Sequence, residues 1–304
     1  MTEANRSARP VGVIANPMSG KDVRRLAARA SRVTPESKRD QIARAVVGAA
    51  ASGAEHIVLV REPMRIAQSA VESMSIGAQL ELIDIAARLD AGDTQRAVLA
   101  MRERGCGAII VLGGDGTNRA IAQVWLDAPL VPISTGTNNV FPMMVEATLA
   151  GAAAGLVASG GVALDEVSQA AKVIHLERAG GERTLALIDA VRLEGDRVGN
   201  MMPVEPGMIR EVVLARAEAA SVGMSPIGGL LEPCGARGRR LRRAGALRAP
   251  RAGREITARS NLPGNFPNGA HRECATPCTR REVHDQGARC TGLRWRSRDH
   301  PGRR

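Results

Sequence analysis

Ala108-Ile109-Ile110-Val111-Leu112 runs directly into Gly113-Gly114-Asp115-Gly116-Thr117. An unbroken apolar run of strand length belongs in a sheet covered on both faces, the situation of parallel strands flanked by helices. Three glycines then surround one carboxylate, and an amphipathic segment from Asn118 to Leu126 follows at once. Such a strand-to-helix turn exposes backbone N–H groups. Glycine there leaves room for a phosphate to approach and admits unusual dihedrals. A lone aspartate in that setting is either a base aimed at a hydroxyl or a magnesium ligand. The turn has the character of phosphoryl transfer.

The sequence around it alternates strand and helix. Val11 to Ala15 reads as a strand ending in the turn Asn16-Pro17-Met18-Ser19-Gly20-Lys21. Lys38 to Ser52 carries Ile42, Ala45, Val46 and Ala49 at helical spacing. His56 to Val60 is the next strand, Ile66 to Met74 a helix and Gln79 to Ile83 a strand. Asp93 or Thr94 is placed to cap a helix reaching Arg104, and Leu130 to Ser134 is a strand after the central one. The order predicts an α/β fold, a doubly wound parallel sheet with ligands at the carboxyl ends of its strands.

Beyond about residue 165 the rhythm changes. Ala171 to Arg178 and Arg183 to Leu193 read as strands joined at Gly180-Gly181, and Glu211 to Ala217 as a further strand. The expected organisation is an α/β nucleotide-binding domain over 1–165, then the start of a β-rich, sandwich-like second domain over 166–232. That second domain looks incomplete, because 233–304 has no apolar period of either kind. The last segment is an Arg-rich tail, and large apolar side chains are sparse in it. Three readings of it stand open: a coding region read out of frame, a basic disordered tail, or a folded module.

The net charge of +11 invites a nucleic-acid reading, but its distribution argues against one. Of 42 basic and 31 acidic residues, 18 arginines and 5 acids fall from Pro233 onward; the rest of the chain holds 24 and 26, a net of −2. The arginine cluster from Arg237 to Arg243 has no interleaved aromatics, so no specific nucleic-acid partner is expected. The polar N-terminus reaches its first strand without an apolar leader, which predicts a cytoplasmic protein with no disulfide framework. Ala147 to Leu164 is uncharged and nearly of spanning length, but its Ala and Gly content gains little in lipid and Gly160-Gly161 reads as a helix stop. No membrane span is expected. Gly151 and Gly155 should instead let a helix lie close against the sheet.

A second turn supports the first. Leu130 to Ser134 leads into Thr135-Gly136-Thr137-Asn138-Asn139 and then Val140-Phe141-Pro142. In a parallel sheet this turn would lie beside Gly113 to Thr117, so that hydroxyls, amides and backbone donors converge on one anion. Neither turn is a Walker A loop, and Arg119 stands where the dinucleotide fingerprint needs its last glycine.

Together, Asn-Pro-x-Ser-Gly, Gly-Gly-Asp-Gly-Thr and Thr-Gly-Thr-Asn-Asn resemble the superfamily of NAD kinases and diacylglycerol or sphingoid lipid kinases. The string from Ile133 to Pro142, with Met202-Pro203-Val204-Glu205-Pro206-Gly207, is most similar to its ATP-NAD kinase-like branch, the acetoin-catabolism X proteins. The resemblance spans roughly residues 10 to 232. It implies that Gly113, Gly114, Gly116 and Thr117 line the phosphates, and that Asp115 is catalytic, orienting or deprotonating the acceptor hydroxyl. Asn16, Ser19 and Gly20 would form the first nucleotide-contacting turn, and Thr135, Gly136, Thr137, Asn138 and Asn139 the next. In NAD kinases an Asn-Glu or Asn-Asp pair stands on a strand opening the second domain. Leu187-Ile188-Asp189-Ala190-Val191 occupies a similar setting, which makes Asp189 an acceptor-binding residue with Ile188 in place of the amide.

The implied activity is ATP-dependent phosphorylation of a hydroxyl, NAD kinase-like and NADP-forming, with ATP and Mg²⁺ as cofactors and a small-molecule acceptor. The residues that hold the metal are not specified, and a homo-oligomer is left open. A lipid kinase is the alternative enzyme, and a non-catalytic nucleotide-binding regulator the alternative from another class. Cys274, Cys278, His284 and Cys290 are too irregularly spaced for a zinc site, and Cys106 reads as a small core residue rather than a nucleophile.

Overall fold

Ala108–Gly113 forms β4, buried at every residue, and pairs in parallel with β1 (Val11–Ala15) on one side and β5 (Leu130–Ser134) on the other. The structure, a computed structural model, describes residues 8–20, 33–136, 138–177, 181–195, 208–231 and 294–296. It divides into two units, one ending at Ala171 and the other beginning at Lys172.

In the first unit, β2 (His56–Arg61) and β3 (Gln79–Asp84) complete a parallel sheet of order β3-β2-β1-β4-β5. Alternate residues of β4 serve opposite faces, as the period of a strand requires. Ala108, Ile110 and Leu112 pack with Ile42, Val46 and Ala49 of α1 (Pro35–Ala51), with α2 (Ile66–Val71) and with α5 (Ala147–Ala158). Ile109 and Val111 pack with Val98 and Met101 of α3 (Ala91–Glu103) and Ile121 of α4 (Asp115–Val124). Two covered faces explain why the strand reads as continuous apolar sequence. The chain lays down β1, β2 and β3 toward one edge, then returns to place β4 and β5 on the other side of β1. The crevice between the carboxyl ends of β1 and β4 is therefore the topological switch point.

Several boundaries differ from the sequence expectation for physical reasons. α1 starts at Pro35 rather than Lys38, because Thr34 caps it by accepting from the Ser37 N–H at 3.2 Å and proline suits the first helical position. Neither Asp93 nor Thr94 caps α3. Asp90 holds the cap position, and the Asp93 carboxylate turns back to accept from the N–H groups of Arg88 and Leu89, both at 2.8 Å. The apolar segment after 147 ends as a helix at Ala158, with Gly160 at φ 80°, and a short α6 (Leu164–Val167) follows. Gly151 and Gly155 do open a close approach, but to α1 rather than to the sheet. A Cβ at either would strike the carbonyls of Ala45 and Ala49, and one at Gly48 would strike that of Thr148. No helix of the described residues is long and apolar enough to cross a membrane.

The second unit opens with the expected hairpin, β6 (Ile174–Glu177) antiparallel to β7 (Arg183–Ala186). The run Arg183 to Leu193 is not one strand: it breaks at Leu187-Ile188, and β8 (Asp189–Leu193) belongs to a different sheet, paired with β9 (Ile209–Leu214). The break lets both halves contribute to one small core, where Ile174 and Ala186 meet Ala215, Ala190 and Val213. α7 (Ser225–Leu231) follows, and the backbone of β10 (Arg294–Arg296) pairs with β6. Thr137, the segment Met202 to Gly207 and, β10 aside, the tail from Glu232 onward lie outside the described residues.

Candidate functional site

Three turns leave the carboxyl ends of β1, β4 and β5, and the side chains predicted for the site tie them together. Asn16 is tied to the neighbouring strand by its backbone N–H, which donates to the Leu112 carbonyl at 3.0 Å. Its side chain then acts in two directions. Oδ1 accepts from the Met18 N–H at 2.9 Å, shaping the first turn, while Nδ2 donates to Thr117 Oγ1 at 2.9 Å in the second. The third turn joins the first through Thr135 Oγ1, which donates to Ser19 Oγ at 2.9 Å. Asn139 braces the third turn from within, its Nδ2 donating to Ser134 Oγ at 2.9 Å and to the Gly136 carbonyl at 3.3 Å.

Asp115 closes the circuit. It is the first residue of α4, and its half-buried carboxylate accepts from the N–H of Phe141 at 2.7 Å and of Val140 at 3.1 Å. The helix thus presents its positive end, where anions are favoured, while its own first carboxylate is committed to the third turn. A carboxylate has lone pairs beyond those bonds, so it keeps the capacity to accept from an acceptor hydroxyl or bind a hard cation.

The glycines divide by role in a way sequence does not show. Gly20 alone of the turn glycines Gly20, Gly113, Gly114 and Gly116 needs left-handed backbone, at φ 79°. The second-turn glycines are required for room. A Cβ at Gly113 would lie 2.6 Å from Thr117 Cβ, and one at Gly114 would lie 2.7 Å from Asn139 Oδ1. Those two Cα atoms therefore face packed protein. Gly116 is the exception: it is exposed, and among the described residues nothing lies within 4 Å of a Cβ built there. Of the three second-turn glycines, only Gly116 has open space beside its Cα among the described residues.

The structure brings together Asn16, Ser19, Gly20, Gly113, Gly114, Asp115, Gly116, Thr117, Thr135, Gly136 and Asn139, with Asn138 in the same turn. Asp189 begins β8 in the second unit, half-buried and paired across the ladder with Leu214. Cys106 is fully buried beside the sheet, and burial pushes its thiol up to about 11, so it is not a nucleophile at neutral pH. Among the described residues no cluster of three or more His, Cys, Asp or Glu is arranged to hold a metal.

Sequence reasoning missed two contributors. Ser134, at the end of β5, is the hydroxyl on which Asn139 rests. Lys38, only 1% exposed, extends its ammonium under the first turn. A single lysine near a helix start reads as a solvated residue, and nothing in the pattern marks it otherwise.

Residues 11–162 match the family model of the ATP-NAD kinase N-terminal domain, and residues 172–264 that of the acetoin catabolism protein X C-terminal domain. The second match continues past Glu232. The chain is 35% identical over 240 residues to acetoin catabolism protein X of Cupriavidus necator, covering 75% of this chain. It spans 66% of that relative's length.

Proposed function

We propose a function that starts from family membership: the chain belongs to the NAD kinase-like family, in its acetoin-catabolism-protein-X branch. In our reading it is an ATP-dependent phosphotransferase acting on a hydroxyl, NAD kinase-like and NADP-forming, and it serves acetoin catabolism. The observation that supports this most is the interlocked set of three turns at the switch point, with the N-terminus of α4 and Asp115 at its centre. Phosphoryl transfer asks a protein chiefly to position the reactants and neutralise phosphate charge, and this is a positioning device.

In the mechanism we propose, the Gly116 face and the first N–H groups of α4 receive the phosphates, while half-buried Asn16 and Ser19 supply amide and hydroxyl contacts and are held in place by the buried hydroxyls of Thr117 and Thr135. Asp115 orients the acceptor hydroxyl and takes its proton. Bound Mg²⁺ would neutralise phosphate charge, and Asp115 is the only carboxylate in the three turns that could help hold it. Asp189 of the second unit is proposed to bind the acceptor.

The engagement of Asp115 with two backbone N–H groups favours a second reading, a nucleotide-binding regulator without turnover. Those amide donors give the carboxylate a structural task, the tie of the third turn, that needs no turnover. The test incubates the purified chain with γ-labelled ATP, or with polyphosphate, and either NAD, diacylglycerol or a sphingoid base. Label in NADP supports the main reading, and label in a lipid moves the acceptor to the lipid kinases. Saturable ATP binding with no transfer to any acceptor selects the regulator.

A further inference from the structure

Lys38 stands in the first turn of α1, and its ammonium donates to three carbonyl oxygens of the first ligand turn: Asn16 at 2.7 Å, Pro17 at 3.0 Å and Ser19 at 2.7 Å. A lysine is rarely this deeply buried, because desolvating an ammonium is costly unless every donor finds an acceptor. These three acceptors belong to one five-residue turn, and that turn is hydrogen-bonded to the other two through Asn16–Thr117 and Ser19–Thr135. Two consequences follow. The carbonyl oxygens that would repel a phosphate are drawn inward onto the ammonium. Three carbonyl acceptors also call for three N–H donors, which only the protonated amine has, so the geometry puts a cation beside the end of β1 at the switch point.

We propose that Lys38 is a positioning residue for a polyphosphate ligand, acting through the first turn rather than by touching the ligand. It keeps that turn's carbonyls facing inward and supplies a buried positive charge, so the site favours ligands in proportion to their phosphate charge. A neutral hydrogen-bond donor of similar length satisfies part of the first task and none of the second. The inference rests on the nucleotide-binding reading of the same turns.

The test compares wild type with Lys38→Gln and Lys38→Met by calorimetric titration with AMP, ADP and ATP, folding being checked by circular dichroism and thermal melting. The expected result is a loss of ATP affinity of roughly tenfold or more, with a smaller loss for AMP, so that the preference for ATP over AMP shrinks. A merely structural lysine would weaken all three nucleotides alike and leave that preference unchanged, which overturns the inference while nucleotide binding itself stands. Wild type that binds no adenine nucleotide overturns both readings.

A measurement on the unaltered chain covers variants that do not fold. The Lys38 ammonium resonance, slowed in exchange by its three acceptors, should shift on addition of a non-hydrolysable ATP analogue and shift less with AMP. Equal shifts, or none at saturation, overturn the inference.

Discussion

Asn16 Nδ2 donates to Thr117 Oγ1 at 2.9 Å, joining the end of β1 to the first turn of α4 across the switch point of the sheet. Each residue is otherwise fixed by its own element. Asn16 is held to Leu112 through its backbone, and Thr117 fills the space that Gly113 leaves for it. The bond therefore links two rigid parts. A ligand bound at this crevice would meet donors whose spacing is set by strand pairing.

The role of Asp115 is open to a direct measurement. Asp115→Asn keeps an oxygen for the Phe141 N–H but removes the charge. Turnover should fall by about 10²–10⁴-fold with nucleotide affinity little changed, the effect expected of a lost general base. Asp115→Ala should in addition speed hydrogen exchange at Val140 and Phe141, since both N–H groups lose their acceptor. Wild-type turnover in the Asn variant removes Asp115 from the chemistry and leaves it as the tie of the third turn.

The fold of the first unit and the location of the turns were legible because apolar runs such as Ile109 to Leu112 have few alternatives once both faces must be covered. What the turns face was not legible. Gly113, Gly114 and Gly116 are equivalent in sequence, and only three dimensions show two of them filled by Thr117 and Asn139 and the third open. Lys38 acts across 19 to 22 positions through backbone carbonyls, which carry no residue identity to be read. Asp93 was misplaced because a cap and a backward-reaching carboxylate share the same local composition. The break at Leu187-Ile188 was hidden because both residues are buried, as strand residues would be.

The glycine roles separate stability from binding. Gly116→Ala adds a methyl into open space in the first turn of α4, which should stabilise the fold by roughly 0.5–1 kcal/mol while weakening ATP binding. Gly113→Ala places a Cβ 2.6 Å from Thr117 Cβ and should cost about 1–3 kcal/mol of overpacking. Chemical denaturation and ATP titration of both variants provide the check. A Gly116→Ala variant that binds ATP as tightly as wild type would show that the ligand does not approach over that residue.

Asp93 predicts an acid limit for α3. Burial by itself raises its pKa, but the N–H groups of Arg88 and Leu89 and the Arg96 guanidinium outweigh it and hold the carboxyl below its ordinary value of 3.8. A group depressed in the folded state contributes stability above its unfolded pKa, and that contribution is lost as pH falls through the folded value. Asp93→Asn should therefore be less stable than wild type at neutral pH, with the difference shrinking below about pH 4. A gap between the two that stays constant from pH 7 to about pH 3 would mean that the charge contributes nothing there.

The seam between α1 and α5 reverses an ordinary rule. Replacing a helical glycine by alanine usually stabilises by roughly 1 kcal/mol. At Gly48 and Gly151 the new Cβ meets backbone of the facing helix, the Thr148 carbonyl in one case and the Ala45 carbonyl in the other. Backbone cannot rotate away as a side chain can, so the helices must separate. Each variant should lose about 1–3 kcal/mol in denaturant unfolding. Because one separation relieves both clashes, the double variant should lose less than the two single losses together. Moving α1 also moves Lys38 away from the carbonyls of Asn16, Pro17 and Ser19, so ATP affinity should fall in the single variants although neither glycine lies in the three turns. Fully additive losses would mean that each clash is absorbed locally. Undiminished ATP binding in a destabilised Gly151→Ala chain would show that the seam and the site are mechanically independent.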